Sequence, residues 1–477
     1  MSQRIAVVIV AIMLLGFGTV AMAQETSPGY VEPASAQAVT PYVPGPDVYV
    51  PASSVARPED AGLRAHTNYL LYSPNGGKPQ PMAKPVQLGG VQPNVTYQQM
   101  LETPASMTCV YKTGPTYTGC LPTYPYHTTY ASGGWGAIAV VDAYDNPDIA
   151  YSLSVFNAQW GLPASTFVKV YANGNNACTT PPFNAGWALE EALDVEWAHA
   201  MAPLATIILV EACDNSYTNL LYAEQVAGAW VKSYGGGDIS NSWSGAESAS
   251  QQGASGYDNY FYRYYYDHIT YFASSGDYGY GMCGSSCNGV SYPSSNPWVI
   301  SAGGTTINRL SNNLASNGNF SNESCWAGSG GGISAYETWL SPPAIYNGMG
   351  PWTNYQYAAF GQAARKIPDM SFNADPKSGV YVYDYDNGGW YGVGGTSVSS
   401  PALAGIVNLA KQKLGQTPPG GGYYNTEELN LIYSQLFTFT AYPINFYDVK
   451  TGSNGVAAHA GWDYCTGVGS PRGKLGK

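Results

Sequence analysis

Short apolar runs alternate with longer amphipathic runs along the middle of the chain. Residues 137–144 (AIAVVDAY) and 205–212 (ATIILVEA) are continuous apolar runs of strand length. Between them, residues 187–203 (WALEEALDVEWAHAMAP) have helical spacing and end at a proline. Continuous apolar strands are typical of a sheet that is covered on both faces. This part of the sequence therefore predicts buried parallel strands joined by helices.

The alternation continues toward the C-terminus. Residues 220–232 and 399–415 (SSPALAGIVNLAKQKLG) predict helices, and the tyrosine-rich residues 257–269 are compatible with a third. Shorter strands that end at polar or glycine residues are predicted in DISNSWSG (238–245), TYFASSGDYG (270–279) and WVISAGGTTI (298–307). The pattern as a whole predicts an α/β fold, a parallel sheet with helices on both faces, whose functional residues collect at the carboxyl ends of strands.

The N-terminus differs from the rest of the chain. Arg4 precedes a short apolar run and an A-x-A site that ends at Ala23, so residues 1–23 are predicted to be a signal peptide. A membrane anchor is the alternative, which the shortness of the apolar run disfavours. Residues 24–105 are rich in Pro, Ala, Val and Gln with little periodicity, and we predict an irregular, Pro-rich N-terminal segment there. The main domain is then residues 106–477 of a secreted protein that leaves the membrane once the signal is removed.

Composition narrows the possible partners. The formal net charge is −12 and only 10% of residues are charged, which argues against a nucleic-acid partner because such partners need basic patches. An apolar content of 45% is enough for a sizeable core and excludes a disordered chain. With every carboxylate protonated, only 19 Lys and Arg plus 5 His carry charge, so self-repulsion in acid stays modest.

Eight cysteines in an exported chain indicate disulfide bonds, although sequence does not fix their connectivity. Proximity suggests Cys109–Cys120 and Cys283–Cys287, while Cys178–Cys213 would bracket the predicted helix at 187–203 and leave Cys325–Cys465. A zinc site is the alternative. It is disfavoured because the sequence contains no paired C-x-x-C motif or Cys/His cluster.

Ser397 is a candidate nucleophile. It lies in residues 393–407 (VGGTSVSSPALAGIV), at a small-residue turn just before a predicted helix. A hydroxyl and a backbone N–H at a helix N-terminus can stabilise a developing anion; a helix-capping serine is the alternative. A subtilisin-type triad could use Asp142 at the end of the first apolar strand, but none of the five histidines has the sequence setting of its base.

Carboxylic acids offer another base. Glu190 and Asp194 are four residues apart, so a helix places both side chains on one face, where two carboxyl groups can form a proton relay. A solvated acidic face is the alternative, since Glu191 and Glu196 are nearby. Asp277 follows a predicted strand among glycines, where a protonated aspartic acid could donate to an oxyanion; a turn aspartate is the alternative.

Taken together, these motifs resemble the sedolisin family of serine-carboxyl peptidases, in particular its kumamolisin-like members. The resemblance extends over residues 125–473, with the motifs in the family's order, and it implies a subtilisin-like fold. The matching motifs are E-x-x-x-D at 190–194, SNSWSG at 240–245, SSGDYG at 274–279, YPSSNPWVISAGGT at 292–305, GSGGGIS at 328–334, RKIPDMSFNADPKSG at 365–379 and GGTSVSSP at 394–401.

The resemblance also implies roles and an activity. By this resemblance Ser397 is the nucleophile, Glu190 is its base and Asp194 supports that base. Asp277 donates a hydrogen bond to the oxyanion. Trp243 and Asp142 support these four residues without taking part in the reaction themselves. The implied activity is that of a secreted, acid-acting serine endopeptidase, with a monomer as the expected state and proteins or peptides as substrates. Near about pH 4 a histidine is protonated, whereas a glutamate still accepts a proton. The alternative is a catalytically weak secreted binding or surface protein on the same fold, suggested by the Tyr-, Asn- and Ser-rich surface.

Residues 446–471 (FYDVKTGSNGVAAHAGWDYCTGVGSP) resemble the family's calcium loop. The implied ligands of one structural Ca²⁺ form an all-oxygen set: the carboxylates of Asp448 and Asp463 and the backbone carbonyls of Val449, His459 and Gly461. A Gly- and Asp-rich loop without metal is the alternative.

Three features depart from the family pattern. His459 stands where the family usually has glycine, and Asp142 where it commonly has glutamate. Residues 24–105 are shorter and more irregular than the family's folded prosegment, so they are predicted to be a reduced prosegment or an extension.

Overall fold

The computed structural model describes residues 40–85, 101–122, 129–174, 178–251, 256–262, 268–284, 287–311, 317–338, 356, 360, 364–413, 427–436, 438 and 440–473. The predicted signal peptide, residues 1–23, lies outside them. The helices, numbered in chain order, are α1 Pro104–Val110, α2 Ile149–Trp160, α3 Ala185–Met201, α4 Tyr217–Ser233, α5 Asp258–Tyr262, α6 Thr396–Lys413, α7 Glu427–Gln435 and α8 Tyr442–Asn445.

The strands are short, apart from those that form the main sheet. In chain order they are β1 Val48–Tyr49, β2 His66–Thr67, β3 Leu70–Tyr72, β4 Ala137–Ala143, β5 Phe167–Ala172, β6 Thr206–Ala212, β7 Gly237–Asn241, β8 Trp243–Ala246, β9 Ile269–Ser274, β10 Met282–Gly284, β11 Cys287–Asn288, β12 Ser291–Tyr292, β13 Val299–Arg309, β14 Phe320–Cys325, β15 Gly332–Thr338, β16 Ala364–Ile367, β17 Met370–Asn373, β18 Val380–Asp384, β19 Gly389–Gly394, β20 Phe446–Tyr447 and β21 Ser470–Pro471.

The main sheet has eight strands, in the order β14-β13-β9-β7-β4-β6-β5, with β17 also paired to β13. Its pairs are parallel except for β13 with β14. The chain builds β5 and β6 on one side of β4, then crosses to build β7, β9 and β13 on the other. Sites in parallel sheets lie at the carboxyl ends of strands where the order reverses. That place is the end of β4, where Asp142 is the penultimate residue.

Helices cover both faces of the sheet, as the alternation within β4 shows. Ile138 and Val140 belong to the core cluster that contains residues of α2, α3 and α6. Ala139 and Val141 belong to the cluster that contains residues of α4. Successive side chains of a strand point to opposite faces, so β4 is buried by helices on each side. The predicted α/β fold, a parallel sheet with helices on both faces, is confirmed.

Close packing of α3 against α6 positions the candidate site. A Cβ at Gly405 of α6 would lie 2.6 Å from the Cβ of Met201 in α3, so only glycine permits this approach. The N-terminal end of α3 is fixed by Asn184, whose side chain accepts hydrogen bonds from the N–H groups of Gly186 and Trp187. The two helices that carry Glu190 and Ser397 are therefore held side by side.

All four suggested disulfide bonds are confirmed. The bonded pairs are Cys109–Cys120, Cys178–Cys213, Cys283–Cys287 and Cys325–Cys465. The Cys178–Cys213 bond joins the approach to α3 with the end of β6, next to the acidic end of the sheet.

Residues 40–85, the longer of the two described parts of the N-terminal segment, pack on the body through short strands. β3 pairs with both β1 and β19, and β2 pairs with β8. Within the described residues, the helices are too short or too polar to cross a membrane.

Candidate active site

Ser397 is the second residue of α6, and its side chain is fully buried. Its hydroxyl donates to the backbone oxygen of Ser242 (3.1 Å) and accepts from the N–H of Asn68 (3.2 Å). The backbone oxygen of Ser397 accepts from the Ser242 hydroxyl (3.3 Å). That oxygen is available because Pro401, four residues later in α6, has no N–H to donate to it. Ser397 thus lies inside the helix, bonded to the connection between β7 and β8, and does not act as a simple cap.

Glu190 and Asp194 are one turn apart on α3, and both side chains are fully buried. The alternative of a solvated acidic face is therefore wrong. Asp142 reaches the same region from the sheet, because its position in β4 gives it the same face as Ile138 and Val140, which pack with α3. Three carboxyl groups from α3 and β4 thus meet beside the first turn of α6.

Burial dominates the electrostatics of these acids. It raises the pKa of Glu190 well above its usual range; Asp194 and Asp142 raise it further, and the nearby Ser397 hydroxyl lowers it. Burial also raises the pKa of Asp194 and of Asp142, and the charge of Asp194 adds to the effect on Asp142. In the described part of the chain, the oxygens of Glu190 and Asp142 accept no well-formed hydrogen bond. Carboxyl groups so close in a dry interior cannot all ionise, so at least one of them keeps its proton.

Ser242 completes this arrangement, and the sequence did not single it out. Its hydroxyl donates to Asp194 Oδ1 (2.8 Å), while its backbone oxygen accepts from Ser397. It therefore connects the nucleophile with the far member of the carboxyl pair. The available signal was its place in the SNSWSG motif, immediately before Trp243.

Asp277 lies beside the two residues that precede Ser397. Its Oδ1 accepts from the N–H (2.8 Å) and the hydroxyl (2.9 Å) of Thr396, so one carboxyl oxygen is fixed by the residue before the nucleophile. Its Oδ2 has no partner among the described residues. Burial raises the pKa of Asp277 to about 7, and the two hydrogen bonds from Thr396 oppose that rise. The group therefore keeps a proton in acid, available for donation from the unpartnered side.

Gly395 shapes the space in front of Asp277. It has a φ of +100°, and a Cβ there would lie 2.6 Å from Asp277 Oδ2 and 2.3 Å from the carbonyl oxygen of Asn68. Asp277 Oδ2 and the carbonyl oxygen of Asn68 therefore both lie next to Gly395. The N–H of Ser397 donates to that carbonyl oxygen (2.9 Å), as a free first-turn amide of a helix can.

Trp243 supports the site from behind. It is fully buried, and its Nε1 donates to the backbone oxygen of Val141 (2.9 Å), which precedes Asp142. This bond holds β8 against the end of β4. The predicted supporting places of Trp243 and Asp142 are thus adjacent in the structure.

More ionisable side chains lie next to Asp142 on the neighbouring strands and on α3, and the sequence analysis did not predict them. Glu211 of β6 is paired in register with Asp142 and lies 2.9 Å from Lys169 Nζ. Burial raises the pKa of Glu211 to about 8, and that of the adjoining Glu191 is raised by burial and then by Glu211 and Asp142. A signal existed, because both apolar strands end in an acid followed by alanine (VDA and VEA).

No described histidine serves Ser397. The hydrogen-bond partners of its hydroxyl in the described residues are Asn68 and Ser242, and the carboxyl group nearby is that of Glu190. His127 lies outside the described residues. The subtilisin-type alternative, with Asp142 and a histidine base, gains no support from this geometry.

The five predicted calcium ligands come together in the C-terminal loop. Asp448 Oδ1 accepts from the N–H of Gly461 (3.0 Å), and Asp463 Oδ2 accepts from the N–H of His459 (3.3 Å). Lys450 lies 3.3 Å from Asp448 Oδ2. Burial raises the pKa of Asp463 to about 6. His459 does not take a positive φ, so replacing glycine there strains nothing.

These residues fit a hard cation. The two carboxylates are held at the two ends of one loop, and no hydrogen bond among the described residues uses the backbone oxygens of Val449, His459 or Gly461. Oxygen donors of this kind suit Ca²⁺. Among the described residues there is no cluster of three or more His, Cys, Asp or Glu side chains suited to a metal, so three of the five donors would be backbone carbonyls.

Comparisons with known proteins agree with this architecture. A sequence model described as "Subtilase family" matches residues 170–462, more than half of the chain. Sedolisin from Pseudomonas sp. (strain 101) is 32% identical over 222 residues, which cover 42% of this chain and 33% of that protein. Kumamolisin from Bacillus sp. (strain MN-32) is 30% identical over 315 residues, which cover 60% of this chain and 49% of that protein.

A solved structure shows the same fold. It is described as Pseudomonas sedolisin (serine-carboxyl proteinase) complexed with two molecules of pseudo-iodotyrostatin, and it has a TM-score of 0.60 and 24% identity over 78% of this chain and 95% of that one. The chain spans between a third and a half of the length of the two curated relatives. The chain belongs to the subtilase family, and within it to the sedolisins.

Proposed function

We propose that this protein is a secreted serine-carboxyl endopeptidase that hydrolyses peptide bonds of proteins or peptides in acid. The observation that carries the proposal is the buried carboxyl pair of α3, Glu190 and Asp194, placed beside the hydroxyl of Ser397. Family membership supports peptide hydrolysis. The buried acids support the choice of base.

In the proposed reaction, the Ser397 hydroxyl attacks the substrate carbonyl and gives its proton to Glu190. Asp194 shares that proton and is itself held by Ser242. The developing oxyanion accepts from the N–H of Ser397 and from protonated Asp277. Glu190 then protonates the leaving amine, and water hydrolyses the acyl-enzyme by the same steps in reverse.

The geometry supports acid activity for two reasons. Asp277 must hold its proton to donate, and with a pKa of about 7 it loses that proton as pH rises through neutrality. Glu190 must lack its proton to act as a base, which its raised pKa opposes in acid. Coupling to Asp194 makes the pair lose its first proton at a lower pH than its second, so we expect one member to be ionised where imidazole is protonated. Activity is therefore expected to decline above about pH 7.

We further propose that Asp448, Val449, His459, Gly461 and Asp463 hold one structural Ca²⁺. When bound, the ion would supply positive charge that the buried Asp463 carboxylate otherwise lacks. The proposed location is extracellular, and the expected state is a monomer.

The test is digestion of a denatured protein between about pH 3 and about pH 8 by the folded, processed protein. Ser397→Ala should lower kcat by about 10³-fold or more. Glu196→Gln is the matched control, since Glu196 is equally buried on α3 but accepts from the backbone of Tyr383 (3.0 Å) outside the relay. Equal activity in wild type and Ser397→Ala would show that Ser397 is not the nucleophile, and no activity in either would contradict the proposal and favour the binding-protein alternative.

A further inference from the structure

The chain's own residues 66–71 run through the candidate site as an extended strand. Before Asn68, β2 pairs antiparallel with β8, joining His66 to Ser244 and Thr67 to Trp243. After Asn68, β3 pairs antiparallel with β19, joining Leu70 to Gly394. An extended peptide bound by main-chain pairing on both sides is a common way for a groove to hold a peptide. The partner of the strand therefore changes from β8 to β19 at the Asn68–Tyr69 bond.

That peptide bond lies against the nucleophile. The carbonyl oxygen of Asn68 accepts from the N–H of Ser397 (2.9 Å), and the N–H of Asn68 donates to Ser397 Oγ and to the backbone oxygen of Ser242 (both 3.2 Å). The same carbonyl oxygen and the unpartnered Oδ2 of Asp277 both border Gly395. The Asn68 carbonyl thus occupies the place where the proposed mechanism needs a substrate carbonyl.

The side chain of Asn68 fills a pocket made for a carboxamide. Only 1% of Asn68 is exposed. Its Nδ2 donates to Ser244 Oγ (2.9 Å) and Ser274 Oγ (2.6 Å), and its Oδ1 accepts from Ser244 Oγ (3.1 Å). A pocket that hydrogen-bonds a polar side chain rejects an apolar residue of the same size, because Ser244 then loses its side-chain partner and Ser274 keeps only a long bond to the backbone oxygen of Asn241 (3.5 Å).

We propose that the Asn68–Tyr69 bond is this protein's own first substrate, and that Ser244 and Ser274 make the site selective for asparagine before the cut bond. This rests on the proposed peptidase function and adds to it a self-cleavage position and a residue preference. Asn68 is the residue on the acyl side, and Tyr69 begins the leaving side.

The cleavage is an ordinary hydrolysis. Ser397 Oγ bonds to the Asn68 carbonyl carbon as its proton passes to Glu190, the C–N bond to Tyr69 breaks, and Glu190 protonates the new amine of Tyr69. Water then attacks the ester at Ser397, which restores the serine hydroxyl and leaves a carboxyl group on Asn68. One water is consumed, and no other reactant is needed.

After the cut, the part of the chain before Tyr69 is held only by noncovalent contacts, which include the pairing of β1 with β3 and of β2 with β8. The first cysteine is Cys109, so no disulfide ties that part to the body. Its contacts include the exposed Arg64–Asp214 ion pair (3.8 Å) and the half-exposed Lys377–Asp47 pair (3.0 Å). Cavities of about 540 and 240 Å³ also lie where this segment meets the body, next to His66 and Ala65. Departure would open Ser397, which is otherwise fully buried.

The first test uses the purified full chain, shifted from neutral pH to about pH 4 and followed by intact mass and N-terminal sequencing. We expect a new N-terminus at Tyr69 in wild type and an uncut bond in Ser397→Ala. The rate should not depend on protein concentration, because the bond already lies in its own site. Activity on added peptide should appear with the same time course. A rate proportional to concentration, or a different first cut, would overturn the proposal.

The second test changes the residue that enters the pocket. Asn68→Leu keeps the size but removes the carboxamide, and should slow self-cleavage at least about tenfold. Leu63→Ala, at a 65% exposed position in the same segment before β2, is the control and should stay within about twofold of wild type.

A third measurement is independent of folding of these variants. Processed wild type is given the peptide Ala-His-Thr-Asn-Tyr-Leu, taken from residues 65–70, and the same peptide with Leu in place of Asn. The Asn peptide should have at least about tenfold higher kcat/KM, and Ser274→Ala should reduce that ratio.

The outcomes separate this inference from the peptidase function. Digestion of denatured protein with an intact 68–69 bond, or equal cleavage of the two peptides, overturns the inference and leaves the peptidase. If neither protein nor peptide is cut, even after a foreign protease has removed the segment before Tyr69, both proposals fail.

Discussion

The chain contains two pairs of acids, Glu190 with Asp194 and Asp448 with Asp463, whose surroundings differ in the structure. Glu190 and Asp194 lie on a buried helix, and the oxygens of Glu190 accept no well-formed hydrogen bond among the described residues. Asp448 and Asp463 lie in a loop whose amides donate to them, with Lys450 beside Asp448. The difference teaches that a carboxyl left without partners in a dry interior can exchange protons, whereas one fixed by backbone donors is suited to hold a shape or an ion.

The largest expected difference between the pairs is in activity. Glu190→Gln should lower kcat by about 10³-fold or more, because the proton of Ser397 then has no acceptor. Asp448→Asn should leave kcat within about threefold but lower the melting temperature, because it removes a charge from the loop. Steady-state rates and melting curves of both variants check this. Equal loss of activity in the two would erase the distinction between the pairs.

Asp277 offers a sharper test of the buried acids. Asp277→Asn replaces a protonated acid with an amide that donates without titrating, so the decline of activity near about pH 7 should move to higher pH. Some activity should be lost, about tenfold, since the amide is a weaker donor than the acid. The measurement is kcat/KM against pH. If kcat/KM of Asp277→Asn declines at the same pH as in wild type, a group other than Asp277 causes that decline.

The two pairs should also differ in how calcium affects stability, because only the Asp448–Asp463 pair is proposed to bind the ion. A chelator should lower the melting temperature of wild type and have little effect on Asp463→Ala. Since burial puts the pKa of Asp463 at about 6, the chelator effect should be larger above that pH, where the carboxylate is ionised and ready to bind the ion. A chelator response that Asp463→Ala leaves unchanged would show that the ion binds elsewhere.

The smallest effect expected is on the pH dependence of stability in saturating calcium. The pKa of Asp277 is raised to about 7 and those of Glu211 and Glu224 to about 8, all mainly by burial. The contribution of these acids to stability is complete below their unfolded pKa values of about 4 and is lost as pH rises through about 7 to 8. Each tenfold difference in proton affinity between the folded and unfolded states corresponds to about 1.4 kcal/mol. Buried His199, with a pKa lowered to about 4, acts in the opposite direction.

The melting temperature should therefore fall between about pH 5 and about pH 8. Glu224→Gln, in α4 outside the active site, should make the melting temperature depend less steeply on pH. Glu59→Gln, at an exposed position, should leave that dependence unchanged. A slope unaffected by Glu224→Gln would locate the effect in other acids.

Sequence predicted most of this fold, including the elements that carry the candidate residues Glu190, Asp194 and Ser397. β4, β6, α3 and α6 carry long, regular patterns, and the Glu190–Asp194 spacing is local to one helix, so periodicity was enough to place them. Ser242 and Glu211 were missed because their importance arises from register between strands far apart in the chain.

The N-terminal segment was the least predictable part. β1, β2 and β3 are only two or three residues long, too short for periodicity to show. The contact of Asn68 with Ser397 joins residues 329 positions apart, and only the folded chain reveals it.

The central claim is that carboxyl groups, and not a histidine, activate Ser397. The most direct measurement is kcat/KM of the processed wild-type protein on one peptide substrate from about pH 2 to about pH 9. The account predicts a maximum in acid and a decline by about pH 7, where Asp277 ionises and where an imidazole base would be most active. A rate that rises through neutrality to a plateau would contradict it.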